Sequence, residues 1–231
     1  MKKDKYFLVV PASGTGKRFN SEIPKQYINL DNGLTILDQC LKVILSNEII
    51  SGFIVALDKK DTYFKFSKFA KHSKLISTVT GGKERFHSVL NALNSLNDIA
   101  KPNDWVLVHD AVRPCIKKED IAKLIEEVAG DKVGGILANK VVDTVKQKNI
   151  NGLISTVDRQ KLHLAQTPQL FRFGILKEAI KGVVEQNRHI TDESEALECL
   201  GHSYRIVDGS SSNIKITTQK DIDLANYFLN Q

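Results

Sequence analysis

Cysteine is scarce and unpaired. The 231-residue chain carries Cys40, Cys115 and Cys199, widely separated and without C-x-x-C spacing, which excludes a disulfide framework and predicts buried free thiols in a reducing compartment. Six dispersed histidines without an H-x-x-x-H pair offer no zinc site. No apolar run approaches the roughly 18 residues that a membrane span needs. The charged start Met1-Lys2-Lys3-Asp4-Lys5 leads into an apolar run only a strand long, with no cleavage site, so no secretory signal is read. Runs of five like charges, internal repeats, low-complexity tracts and linkers are all missing. These absences predict a soluble, cytoplasmic protein with neither nucleic acid nor membrane as partner.

What is present is a mildly basic chain, net charge +6 and pI near 9.1, with its cations spread along the length. That excess suits small anionic substrates. At 42% hydrophobic the chain has a substantial core to bury.

Short apolar runs alternate with helical stripes. Phe7–Val10, Phe53–Leu57, Leu75–Val79, Trp105–Val108 and 134–138 read as strands. Between them lie a stripe through Leu37, Cys40, Leu41, Ile44 and Leu45, a more polar helical segment from Asp61 to Phe69, and stripes through Phe86–Leu96 and Ile121–Val128. This rhythm predicts an α/β fold with a mainly parallel sheet covered by helices on both faces. Ligands of such sheets gather beyond the carboxyl ends of the strands. Three of these strands end in polar or Gly-rich signals, at 12–18, 81–88 and 109–114.

The rhythm changes over 140–166. Val141–Val145 and Leu153–Val157 are β-type runs joined by Lys146–Gly152, whose Asn149, Asn151 and Gly152 are turn formers. A two-stranded arm is marginal alone, so the expectation is an arm that packs on a second subunit, or else lies on its own domain. Beyond it come a stripe through Ile175–Val183, a capping pair Asp192/Glu195, a strand at Ser203–Val207, a short strand at Ile214–Ile216, and a closing helix capped by Thr218. One domain over 1–231, with the arm within it, is the expected organisation.

The stretch Phe7–Gln26 carries the first chemical signal. Pro11, Ala12, Ser13, Gly14 and Gly16 break the first strand, and Lys17, Arg18 and Lys25 follow. Small residues let backbone N–H groups approach an anion, and the cations add full charge. It is not a P-loop, since Pro11 stands where the first Gly belongs and Arg18 follows Lys17. It is not a dinucleotide fingerprint either, since Phe19 stands where a third small residue belongs. Gly82, Arg85 and Ser88 repeat the logic at the opening of a helix, where an anion or a base contact is favoured; Ser88 reads equally as an inward-facing helix residue. Asp110, just past a buried strand, is placed to hold Mg²⁺ with phosphate oxygens, and Arg113 to pair with a phosphate. The other reading makes Asp110 a cap and Arg113 its ion-pair partner. No Ser-His-Asp or Cys-His constellation competes.

Read together, VVPASGTGKRFNSEIPKQY, GGKERFHSV, VHDAVRP, STVDRQKLHLAQTPQ, ITDESEALE and NIKITTQKDIDLA resemble, in order and spacing, the 2-C-methyl-D-erythritol 4-phosphate cytidylyltransferase family, from about Phe7 to Phe228. The resemblance implies a Rossmann-like nucleotidyltransferase fold, CTP and methylerythritol phosphate as substrates, Mg²⁺ as cofactor, and a homodimer clasped by the β-arm. It makes Arg18 and Lys25 the residues that stabilise the transition state. It places Pro11, Ala12, Ser13, Gly14, Gly82, Arg85 and Ser88 around the nucleotide, and Asp110 on the metal. Arg113, Thr167, Thr191 and Lys215 fall around the sugar phosphate, with Thr144 and Arg159 reaching into a neighbour's site. Two departures stand out: Ser212 replaces a common Asp before Asn213-Ile214-Lys215, and Ser13 replaces a common Ala. Ribitol 5-phosphate cytidylyltransferases share the fold and the TPQ and NIKIT segments. They differ in a Gly-Gly first loop and lack the arm ending seen at Thr156–Leu162. A non-catalytic nucleotide-binding protein of the same fold would be expected to lose Arg18, Lys25 or Asp110, and all three are present.

Overall fold

A computed structural model of the chain describes residues 4–14, 19 and 23–231. Its elements run β1 (Tyr6–Ala12), α1 (Ile36–Leu45), β2 (Ile50–Leu57), β3 (Leu75–Thr80), α2 (Arg85–Asn94), β4 (Trp105–Val108), α3 (Lys118–Val128), β5 (Gly134–Lys140), β6 (Val145–Lys148), β7 (Ile154–Val157), β8 (His163–Arg172), α4 (Phe173–Glu185), α5 (Glu193–Cys199), β9 (Arg205–Asp208) and α6 (Lys220–Leu229). Seven strands form one sheet in the order β3-β2-β1-β4-β8-β5-β9, and β6-β7 form a separate ribbon.

Strand β1 shows why both faces of the sheet are covered. Its successive side chains alternate between faces. Tyr6, Leu8, Val10 and Ala12 join a core with Leu37, Leu41 and Ile44 of α1 and Ile121, Leu124 and Val128 of α3. Phe7 and Val9 join the opposite core, with Phe86, Val89 and Leu93 of α2, Leu176 and Ile180 of α4, and Leu197 of α5. An unbroken apolar run is what a strand buried on both sides requires. Each fully buried Leu or Phe contributes about 1.5–3 kcal/mol, so these two layers hold the fold. The ribbon, whose residues are mostly exposed, adds little. No helix among the described residues is long and apolar enough to cross a membrane.

The sheet is mixed in one place. β1-β2, β1-β4, β2-β3 and β5-β9 are parallel, as expected, while β8 runs antiparallel between β4 and β5. The sequence pattern does not announce β8, because Pro168 and the polar Gln166, Thr167 and Gln169 interrupt it, and a Pro ordinarily argues against an interior strand. The structure accommodates them in a bulge. On β5, Ile136 pairs with Gln169 and Ala138 with Ala165, so 166–168 stand outside the ladder. The Thr167–Pro168 peptide is cis.

Other expectations are corrected. The segment 61–69 holds only a single 3-10 turn at Phe64–Phe66, because Asp61 Oδ1 accepts the Tyr63 and Phe64 N–H groups and competes with helix formation. The arm's first strand is 145–148 rather than 141–145. Its register is set by the turn, where Asn149 Oδ1 accepts from Asn151 N and Leu153 N and Gly152 has φ 81°, so that Lys148 pairs with Ile154. Residues 214–216 form no ladder; Ile216 N donates to Val112 O at 2.9 Å and the segment crosses the sheet end. Strand β9 lies at 205–208 rather than 203–207. Thr218 does not cap α6; its N–H and that of Thr217 donate to Asp221 Oδ2 at 2.7 Å.

Gly134 starts β5 where strands crowd. Its φ is +138°, and a Cβ there would overlap the Leu170 carbonyl oxygen and lie 2.8 Å from Phe171 Cα. Gly134→Ala is therefore expected to destabilise the protein by about 2–4 kcal/mol, from strain and overpacking together. A urea-unfolding midpoint equal to that of the parent would contradict this account.

Candidate active site at the sheet's switch point

The chain leaves β1 to build β2 and β3 on one side and returns to place β4 on the other, so the loops after β1 and β4 diverge and leave a crevice. A cavity of about 490 Å³ occupies it. It brings together Pro11 and Ala12 at the end of β1, which runs through both rather than breaking at them, Ser13, Gly14 and Lys25 from the segment that follows, Gly82 from the loop after β3, Arg85 at the start of α2, Asp110 after β4, and Lys215 from the C-terminal segment. Gln26 closes the first loop by donating Nε2–H to Ala12 O at 2.8 Å, and Lys25 Nζ donates to Ile216 O at 3.0 Å. Arg18 lies outside the described residues.

The first and third strand ends touch. Ser13 Oγ lies 2.9 Å from Ser88 Oγ, which accepts the Gly82 N–H at 3.0 Å. Ser88 is fully buried and lines no part of the cavity, so it shapes the two loops from behind. A side chain at Gly81 would collide with Ser13 and come within 2.9 Å of Ser88 Oγ; glycine is what permits the approach.

Asp110 is the electrostatic centre. It receives Arg85 Nε at 2.8 Å and Lys215 Nζ at 2.8 Å, with Arg113 Nε at 3.6 Å. Burial by itself raises a carboxyl pKa, but the Arg85 guanidinium and the Lys215 ammonium overcome it and hold Asp110 well below the usual carboxylate range. Arg85 also reaches Glu193 Oε1 with Nη1 at 2.5 Å. Glu193 is fully buried, and that burial pushes its pKa up against the pull of Arg85. The Arg85 pKa rises because the two carboxylates outweigh its own desolvation.

Behind Asp110 a neutral imidazole orders the backbone. Burial lowers the His109 pKa to about 4. The Arg113 carbonyl, 3.2 Å from Nε2, can only accept, so Nε2 carries the proton and Nδ1 accepts from Thr167 Oγ1 at 3.1 Å. Thr167 Oγ1 in turn accepts the Asp110 N–H at 3.0 Å. The bulge in β8 thus brings Thr167 to the site. Its hydroxyl proton is committed to His109, so Thr167 acts on Asp110 and its surroundings through the backbone. Asn213 Nδ2 donates to Thr167 O and Arg113 Nη1 donates to Asn213 O, both at 2.8 Å, which interlocks β4, β8 and the C-terminal segment.

Not every residue named by the resemblance meets here. Thr191 lies in a second cavity of about 420 Å³ beside α5, its N–H and hydroxyl both donating to Glu195 Oε2. Thr144 and Arg159 are exposed on the arm and line neither cavity; Arg159 Nη1 donates to Val142 O. Buried Ser212, in place of the common Asp, meets Ser210 Oγ at 2.7 Å and brings no carboxylate to Asp110. Glu193, His109, Gln26 and Asp58 complete the site and its support, and sequence reasoning did not single them out. Glu193 had a faint signal as an acidic residue in the first turn of a capped helix, but nothing local marks its partner.

The family model described as 2-C-methyl-D-erythritol 4-phosphate cytidylyltransferase (IspD) matches residues 6–231. Proteins of that name from Ruthia magnifica subsp. Calyptogena magnifica and Vesicomyosocius okutanii are 50% and 49% identical to this chain, each alignment covering 98% of it and 97% of the relative. The crystal structure of the Francisella tularensis protein of that name is 38% identical and superposes with a TM-score of 0.82, over 97% of this chain and 100% of that one. A solved 4-diphosphocytidyl-2C-methyl-D-erythritol synthase, 33% identical, gives 0.85 over 99% and 100%. Similarity this high over nearly the full length of the chain means that it belongs to the 2-C-methyl-D-erythritol 4-phosphate cytidylyltransferase family.

Proposed function

We propose that this protein transfers the cytidylyl group of CTP to 2-C-methyl-D-erythritol 4-phosphate, giving 4-CDP-2-C-methyl-D-erythritol and pyrophosphate, as a cytoplasmic homodimer. The observation that carries the reading is the cluster of Arg85, Arg113 and Lys215 around Asp110, facing Lys25 and the small-residue loop at the switch point. A phosphate monoester is already an anionic nucleophile, so no general base is required. One of its oxygens forms the new bond to the α-phosphorus. The bond from that phosphorus to the bridging oxygen breaks, and pyrophosphate leaves with the electron pair. The protein's task is to hold two anions in line and neutralise them, which is positioning and electrostatics.

In this reading the backbone of Pro11–Gly14 and Gly82, with Arg85, holds the nucleotide, while Ser88 braces both loops. Lys25, with Arg18, stabilises charge at the phosphates. Lys215, Arg113 and Thr191 serve the polyol phosphate, and Thr167 supports them. A divalent cation fits the donor set. Among the described residues no three His, Cys, Asp or Glu side chains gather into a cage, and Mg²⁺ needs none when it brings phosphate oxygens and waters. Asp110 would hold it, with Lys215, 43% exposed, free to turn towards a phosphate. Bound there, it would neutralise triphosphate charge. Val142, Ile150, Leu153 and Ile154 leave apolar surface on the arm, which supports a dimer in which Thr144 and Arg159 act on the neighbour's substrate.

Pyrophosphate release with CTP and Mg²⁺ is expected to be faster with 2-C-methyl-D-erythritol 4-phosphate than with ribitol 5-phosphate, and to stop on chelation with EDTA. Faster turnover of ribitol 5-phosphate would sink the substrate assignment. Lys25→Ala should lower kcat about 100-fold, the scale of one electrostatic stabiliser, with CTP affinity changed far less; an unchanged rate would reject its role. Arg159→Ala should raise KM for the polyol phosphate while CTP binding stays nearly intact. Mixed dimers of Arg159→Ala and Lys25→Ala should then recover activity, and failure to recover any would argue against sites shared between subunits.

A further inference from the structure

We infer that Glu193 is a positioning residue for the nucleotide: its carboxylate holds the Arg85 guanidinium in the orientation in which Arg85 lines the cavity. The inference rests on the nucleotide reading of Arg85 and extends it to a side chain that does not itself line that cavity.

Glu193 is fully buried, and the contact its carboxylate makes among the described residues is with Arg85, Oε1 to Nη1 at 2.5 Å; Oε2 is buried without a hydrogen-bond partner. A buried ion pair is weak evidence for stability, because desolvating the charges offsets much of their attraction. What the pair does accomplish is geometric. Arg85 donates Nε to Asp110 Oδ1 at 2.8 Å and Nη1 to Glu193, so its planar head is fixed from two sides, and Nη2 is buried without a partner. Without the second carboxylate the guanidinium is free to rotate onto Asp110, where it competes with Lys215 and Arg113.

The scaffold holds Glu193 as firmly as Glu193 holds Arg85. It opens α5, whose start is pinned to β8: Gln169 Nε2 donates to Asp192 Oδ2 at 2.9 Å, and Gln169 Oε1 accepts the Ser194 N–H at 3.0 Å. Asp192 Oδ1 accepts from Glu195 N at 3.0 Å and from Ser194 Oγ at 2.8 Å. Gln169 pairs with Val108 across the sheet, one residue before the His109-Asp110 step. One strand therefore sets the distance between the two carboxylates that Arg85 bridges.

The test is calorimetric titration of CTP into the folded protein without polyol phosphate, together with KM for both substrates. Glu193→Gln keeps the shape and removes the charge. It is expected to weaken CTP binding about tenfold, the scale of one charge-assisted hydrogen bond, and to leave KM for the polyol phosphate within about twofold. The double variant Arg85→Gln/Glu193→Gln, which leaves no buried charge unpaired, should bind CTP as Arg85→Gln does, because Glu193 acts through Arg85. A purely structural residue would lower the folded fraction without changing the affinity of the folded protein, so unchanged CTP affinity in Glu193→Gln overturns the inference. So does further weakening of the double variant beyond Arg85→Gln. If Arg85→Gln itself leaves CTP binding intact, the nucleotide reading of Arg85 falls and this inference with it. If only the Glu193 comparisons fail, that reading stands.

Discussion

Three cations held close together require an anion between them, and the rest of this site is arranged around that requirement. At about 4 Å and an effective dielectric of 20, two like charges repel by about 4 kcal/mol. Arg85, Arg113 and Lys215 escape that cost because the Asp110 carboxylate lies between them, and Arg85 is drawn further by Glu193. Two acids against three bases leave the cluster with one net positive charge beside the crevice, suited to a phosphate-bearing ligand.

Asp110 can fill that position because of where β4 ends. The sheet reverses its growth between β1 and β4, so the residues just past β4 face open space rather than a crossing loop. The backbone there is locked before any ligand arrives. Thr167 receives the Asp110 N–H, neutral His109 ties Thr167 to the Arg113 carbonyl, and Asn213 ties the C-terminal segment to both. Dipoles and charges set in advance need little reorganisation when charge moves in the reaction, which is the largest catalytic effect available to a site without covalent chemistry.

The parts of this architecture that could be read from residues alone share one property: they depend on near neighbours in the chain. Strands β1, β2, β4 and β5 appear as apolar runs because each is largely buried on both faces, and Ser13, Gly14 and Gly82 appear as loop residues because small residues punctuate strand ends. The order and spacing of six segments were enough for the family. Strand β8 did not appear, because its bulge is filled by polar side chains and a Pro whose burial is explained only by their hydrogen bonds to β4 and the C-terminal segment. The arm's first strand, expected at 141–145, lies at 145–148, because an exposed ribbon has no buried face to fix its bounds and the Asn149 turn sets them instead.

By itself, then, the amino-acid order determined the α/β rhythm, the phosphate-suited loops and the charged residues available for catalysis, since these follow from side-chain periodicity and backbone preference within short windows. Tertiary structure decided which charges meet. Glu193 finds Arg85 across 108 residues, Lys25 reaches Ile216 across 191, and the hydroxyl of Thr167 turns to His109 rather than into the cavity. Such pairings are fixed by the packing of two apolar layers on the sheet, whose geometry no local window contains.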